Sequence, residues 1–157
     1  MSASMPVSAP PAWPAPSPLV RALGYGGLIP FAGLAALLWL LPPDLVVWVA
    51  MGLAAYAALI ASFLGGIHWG LAWARATPGT EPAGIHLLWG VVPSLLAWPG
   101  LLMPPHAGLV WLGALLVVCY LVDRKLYPAA GLGRWLTLRW RLSAVAALSC
   151  LVGAGAL

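Results

Sequence analysis

The sequence predicts an all-α fold: a polytopic membrane bundle of five transmembrane helices. Three observations lead there. The chain is 63% hydrophobic and 6% charged, whereas soluble domains carry roughly a quarter charged residues. Its seven basic and three acidic side chains bracket long apolar runs. Those runs have the length that a bilayer core asks of a helix, about 20 residues.

Taken in order, residues 1–18 are rich in Pro, Ala and Ser and carry no charge. They read as a disordered tail, because such a segment cannot bury enough apolar surface to offset its ordering entropy. There is no basic n-region and no arginine, so neither a signal peptide nor a mitochondrial leader is expected. The membrane domain then covers 19–157. Arg21 precedes the first run, 22–41, which Pro42-Pro43-Asp44 closes. The second run is 45–74, closed by Arg75, and is longer than a bilayer needs. The third, 84–103, follows a polar loop and ends at Pro104-Pro105-His106. The fourth, 107–122, ends at Asp123-Arg124-Lys125. Residues 126–140 look interfacial. The fifth run spans only if it starts near Leu136, at 136–157, with Arg139 and Arg141 snorkelling back to the headgroups.

Five spans place the two ends on opposite sides. With the N-terminus inside, all seven Lys and Arg residues fall inside, so the positive-inside rule gives an N-in, C-out orientation. The tryptophans form two belts. Trp39, Trp48, Trp98 and Trp111 lie at the outer level, and Trp69, Trp73, Trp89, Trp135 and Trp140 lie toward the inner one. The net charge of +4 is therefore a topology signal. It is not the single basic stripe of a nucleic-acid binder. Cys119 and Cys150 stand alone without ligand spacing and read as inert buried thiols.

Chemistry concentrates around His68. A histidine inside an apolar helix needs a polar partner. Seven residues from Arg75, it lies about 10 Å inside the inner boundary. Pro30 and Pro93 sit at similar depth, and each removes a backbone hydrogen bond and should kink its helix. The residues predict a small polar pocket lined by His68, Ser94 and Ser62; the alternative is three independent kinks packed together. Asp123, at the expected end of the fourth helix, opposes the helix dipole there. It calls for a cation, with Arg139 first in line, as an ion pair or as the floor of the His68 pocket. His86 differs from His68 in depth, which argues against a shared haem. Gly66 and Gly70 form a GxxxG within a row of small residues four apart, and Gly65 stands beside it as a third helix-packing glycine. They are expected to pack against the chain's own helices, or to form a homodimer seam. Gly27-Leu28-Ile29-Pro30 and Gly90-Val91-Val92-Pro93, with Tyr56 and Tyr120, hint at an internal repeat.

The stretches Gly27-Leu28-Ile29-Pro30-Phe31, Ser62-Phe63-Leu64-Gly65-Gly66, His68-Trp69-Gly70 and Val92-Pro93-Ser94-Leu95, together with Asp123, Trp135 and Arg139, resemble domain-of-unknown-function family 3429, the transmembrane protein 69-like family. The resemblance covers about Leu19 to Leu157. It implies a small multi-pass protein of a bacterial inner membrane, and it implies no catalytic residues. No Ser-His-Asp order, paired acids, HExxH or phosphate loop is present, so an enzyme is not favoured, and no metal or cofactor is expected. Two functions stay open. One is a structural or assembly module in the lipid bilayer, partnered by itself or by another membrane protein. The other is a small transporter or binder of a lipid or small molecule, with its pocket at His68.

Overall fold

A computed structural model of the chain describes residues 13–76 and 83–157. The helices are α1 (Pro18–Gly26), α2 (Leu28–Leu40), α3 (Pro43–Arg75), α4 (Gly84–Leu102), α5 (Pro105–Ala129) and α6 (Leu136–Ala154), with a 3₁₀ turn at Gly133–Trp135 before α6. With α1 and α2 counted as one span, five segments are long and apolar enough to cross a membrane.

The first span, expected over 22–41 with a kink at Pro30, is broken at Gly27, three residues before that proline. Pro30 has no N–H to offer the carbonyl of Gly26, and the chain turns at Gly27. The Tyr56 hydroxyl donates to the Gly27 carbonyl at 2.9 Å. Its ring meets Phe31 edge-on at 5.0 Å, so α3 fixes the break from outside. α4 runs through both Pro93 and Pro99 as one helix. Tyr120, the counterpart of Tyr56 in the suggested repeat, packs on Trp140 at 5.3 Å.

α5 runs seven residues beyond the expected end at Val122. Charged side chains mark a membrane boundary, not a helix stop. The stop is Gly131, whose φ of 68° only glycine adopts without strain. Leu132 donates to the Tyr127 carbonyl at 2.8 Å and Gly131 to that of Pro128 at 3.0 Å, a Schellman ending. Arg75 Nη2 donates to the Ala130 carbonyl, which ties the end of α3 to the end of α5.

Residues 1–12 of the expected tail, and the loop 77–82, lie outside the described residues. Residues 13–17 lie across the α5–α6 turn. Trp13 N–H donates to Gly131 and the Trp135 indole to Pro14, both at 3.0 Å.

α3 is the centre of the bundle. α2, α6, α5 and α4 form an arc around it, each touching the next, while α2 and α4 do not meet. One face of α3 therefore stays open, and Phe63, Gly66 and Gly70 lie on it, exposed. The expectation that Gly66 and Gly70 pack against the chain's own helices is corrected here: no atom lies within 4 Å of a Cβ built at either. The close crossing belongs to Gly65. A Cβ there would collide with the Gly90 carbonyl oxygen, and one at Gly90 with the Trp69 ring. The crossing brings α3 and α4 together backbone to backbone. Dispersion and close packing, not water exclusion, hold helices together in lipid.

The glycines should therefore separate in a thermal-stability measurement on detergent-solubilised protein. Gly65→Ala must force α3 and α4 apart, at about 1–3 kcal/mol for overpacking, which outweighs the gain of up to about 1 kcal/mol in helix propensity. Gly66→Ala and Gly70→Ala keep that gain with no clash and should be neutral or stabilising.

Candidate functional site

The α3–α4 crossing sets a register. The pairs Gly65/Gly90 and Trp69/Leu87, the latter through an indole bond of 2.9 Å, face each other. The same antiparallel count places His68 opposite His86. Their Nδ1 atoms are 2.9 Å apart, and the rings stack at 5.2 Å. The expected difference in depth between the two is overturned. Residue counts from each helix end do not compare across the pair, because α3 continues seven residues beyond His68 whereas α4 begins two residues before His86.

On its other side, His68 Nε2 lies 2.9 Å from Asp123 Oδ1. Arg139 takes the second carboxylate oxygen, with Nε at 2.8 Å from Oδ2 and Nη2 on the same oxygen. One polar chain, His86–His68–Asp123–Arg139, thus crosses from α4 through α3 and α5 to α6. His68 is 0% exposed, Asp123 1% and Arg139 7%. The Tyr127 ring lies beside His68, at 5.8 Å between ring centroids. Leu71, Ala130 and Leu132 pack around it. His86, at the start of α4, is half-buried.

Burial explains the pairing better than the helix dipole does. Asp123 is not at a helix end but more than a turn inside α5. A buried carboxylate costs several kcal/mol unless it is paired and hydrogen-bonded. Both of its oxygens are satisfied. Arg139 is turned inward, against the expectation that it snorkels. Arg141 keeps the expected exposure, its Nη1 3.4 Å from the Tyr25 hydroxyl.

The hydrogen-bond directions follow from proton counting. Asp123, ionised beside Arg139, only accepts, so His68 Nε2 carries a proton. In a neutral His68, Nδ1 is then bare and accepts from His86 Nδ1–H. That leaves His86 Nε2 as an acceptor with no hydrogen-bond partner among the described residues.

The two serines named from the sequence stand outside the chain. Ser62 donates to the Ala58 carbonyl at 3.0 Å and Ser94 to that of Val91 at 2.8 Å, each within its own helix. The serine missed is Ser143, one turn after Arg139 on α6. It is 4% exposed, and its hydroxyl has no partner. Its i, i+4 spacing from Arg139 was the available signal.

Arg139 and Ser143 both face a cavity of about 350 Å³. Its other walls are almost wholly apolar. α1 and α2 form one side, with Leu23 and Phe31; α3 forms the second, with Phe63 and Leu64; Leu116 of α5 and Ala146 of α6 lie behind. The cavity exists because α1, beyond the Gly27 break, rests on α2 and α6 and stands clear of α3. Leu23 and Phe63, which line it, are exposed. The pocket expected around His68 is displaced. His68 itself is tightly packed, and the open space begins on the far side of Arg139. Among the described residues, no group of three His, Cys, Asp or Glu side chains is placed to hold a metal ion.

The family described as "Protein of unknown function (DUF3429)" matches residues 16–155. The chain is similar to Transmembrane protein 69 of Xenopus tropicalis, at 43% identity over 88 residues. That stretch is 56% of this chain and 34% of the frog protein, so the match spans about a third of the relative's length. No solved structure matches.

The chain His86–His68–Asp123–Arg139 makes a specific prediction. Asp123→Asn leaves Arg139 as an unpaired buried cation and should cost about 3–5 kcal/mol, read as a large fall in the melting temperature of the purified protein. Asp123→Asn combined with Arg139→Gln should recover more than half of that loss, because the uncompensated charge is gone.

Proposed function

The chain belongs to the DUF3429 family and is a multi-pass membrane protein; from the geometry of its site we propose that it binds a single-tailed, lipid-like molecule. The observation that carries this is the cavity beside Arg139, with the unpartnered Ser143 hydroxyl at its polar end. Its volume falls within the range of small-molecule sites, about 300–1,000 Å³. An apolar void in a bundle forfeits dispersion contacts on every wall. A buried hydroxyl without a partner adds a desolvation cost of about 1–3 kcal/mol. An acyl chain among Leu23, Phe31, Phe63 and Leu64, with a polar head at Arg139 and Ser143, relieves both. The rim between α1 and α3 faces lipid, so entry is lateral.

The inward-facing basic end supports an N-in, C-out orientation. A reporter fused after Leu157 should be inactive in the cytoplasm if that orientation holds. The assembly reading keeps one support, the exposed face of α3 with Gly66 and Gly70. Conversion of a dimer to a monomer by Gly66→Leu would establish it.

Ser143→Ala separates a binding site from an accidental void. Removal of a useless buried hydroxyl should raise stability by about 1 kcal/mol or more. In a binding site, the same change should also lower the amount of lipid that co-purifies in mild detergent, read by native mass spectrometry. Higher stability with unchanged lipid content would reject the site.

A further inference from the structure

We infer that the occupant carries an anionic headgroup and that the protein takes up one proton through His86 and His68 when it binds. This rests on the pocket reading above and adds the ligand's charge and the means of neutralising it.

Charge accounting is the starting point. With both histidines neutral, Asp123 and Arg139 cancel, and the buried cluster has no net charge. An anionic head that enters beside Arg139 and Ser143 adds one negative charge in the interior of a membrane bundle. Unbalanced charge there is expensive. A cationic head would face Arg139 directly, and a neutral head leaves its guanidinium with Asp123. An anion competes with Asp123 for Arg139, and Asp123 then needs another cation. His68 is already 2.9 Å from its Oδ1.

The route for the proton is in place. A proton adds to the bare Nε2 of His86, on the half-buried side. The proton on His86 Nδ1 crosses the 2.9 Å gap to His68 Nδ1. His86 stays neutral, with its proton now on Nε2, and its Nδ1 becomes the acceptor. His68 becomes an imidazolium between His86 and Asp123. One proton enters, one N–H bond forms as another is exchanged, and the positive charge ends beside the carboxylate. Histidine is the side chain suited to this shuttle near neutral pH. Among the described residues, the other groups around the pair are Arg75 on α3, Asp123, Tyr127 and Cys119 on α5, and Arg139 on α6. Arg75 is held on the Ala130 carbonyl, and Asp123 Oδ1, 2.9 Å from His68 Nε2, is the anion that receives a charge on His68. Neither Tyr127 nor Cys119 stands between the two histidines.

An anionic head on a single chain describes both a fatty acid and a lysophospholipid. The decisive probe is hexadecyl sulfonate, which stays ionised throughout, so any proton taken up belongs to the protein. Hexadecanol is the neutral control. Full-length protein, delipidated in non-ionic detergent, is titrated with each between pH 5.5 and 8.5, with a dye in weak buffer reporting proton uptake. Expected is one proton taken up per sulfonate bound, and a Kd that falls as pH falls, by up to tenfold per pH unit for one linked proton. Hexadecanol should bind more weakly, without proton uptake and without pH dependence. Competition by palmitate and by lysophosphatidic acid then tells the two natural sources apart.

His68→Gln should abolish uptake and flatten the pH dependence. His86→Gln, at a less buried position, should keep the stoichiometry but slow uptake at least tenfold in stopped flow, which a merely structural histidine would not do. Equal, pH-independent binding of sulfonate and alcohol overturns the inference and leaves the pocket. Failure of both to bind overturns the pocket itself. Should His68→Gln not fold, the wild-type proton count alone decides.

Discussion

The structure depends on one buried carboxylate. Asp123 is surrounded by protein inside a helix that crosses lipid, and its burial is tolerable only because each oxygen has a charged or polar partner. Those partners come from α3 and α6, and His68 extends the link to α4. Four helices therefore meet at a single polar point. Apolar helix faces in lipid slide past one another at little cost, since lipid tails are as apolar as leucine. A polar point that is satisfied in one arrangement only supplies the register that such faces lack. It also accounts for α6, whose span has the lowest mean hydropathy of the five. Arg139 turns inward because Asp123 is there to receive it.

The rest of the packing is built from small residues at other depths. Gly65 meets Gly90 between α3 and α4. Gly100 and Gly108 bring α4 against α5, Gly113 accepts α6 near Cys150, and Gly153 lets Leu38 and Leu53 close over the end of α6. At each of these places a Cβ has little or no room. This close fit is interrupted beside α1. There the Gly27 break, held by Tyr56, turns the first span away from α3. The close packing at these glycines shows that the gap is not general looseness. It opens where Arg139 and Ser143 face inward.

The sequence makes the architecture legible because hydropathy and charge act on whole segments. Twenty apolar residues between bracketing charges read the same in almost any context. The helix ends were less legible. Asp123-Arg124-Lys125 looks like a terminus because charge leaves the membrane there, but a helix can continue into the interface until backbone geometry stops it, here at Gly131. His68, Asp123 and Arg139 were legible one by one, as polar groups with no place in lipid. Their meeting with His86 was not, because it depends on the hairpin register, and that is set by the Gly65–Gly90 crossing. The glycine that matters is one position away from the GxxxG pattern. One residue is about 100° around a helix, enough to move Gly66 from the crossing to the open face. Ser143 went unremarked because a serine in an apolar run is ordinary. Only the cavity makes it informative.

The two functional readings differ in what Arg139 is for. In a purely structural ion pair, the guanidinium should be enclosed on every side, since its only task is to neutralise Asp123, and any void beside it weakens the packing without return. The observed arginine is 7% exposed, and it also borders the end of an apolar space, with an unpartnered hydroxyl one helical turn away. A cation that pairs with Asp123 and also borders a cavity is poised to exchange partners. Exchange would leave Asp123 uncompensated, were His68 not already in hydrogen-bonding contact with it and His86 behind that. Each member of the chain thus has a reason to be there that the ion pair by itself does not supply. A packing role for Asp123 explains Arg139, but leaves His86, Ser143 and the cavity without a cause.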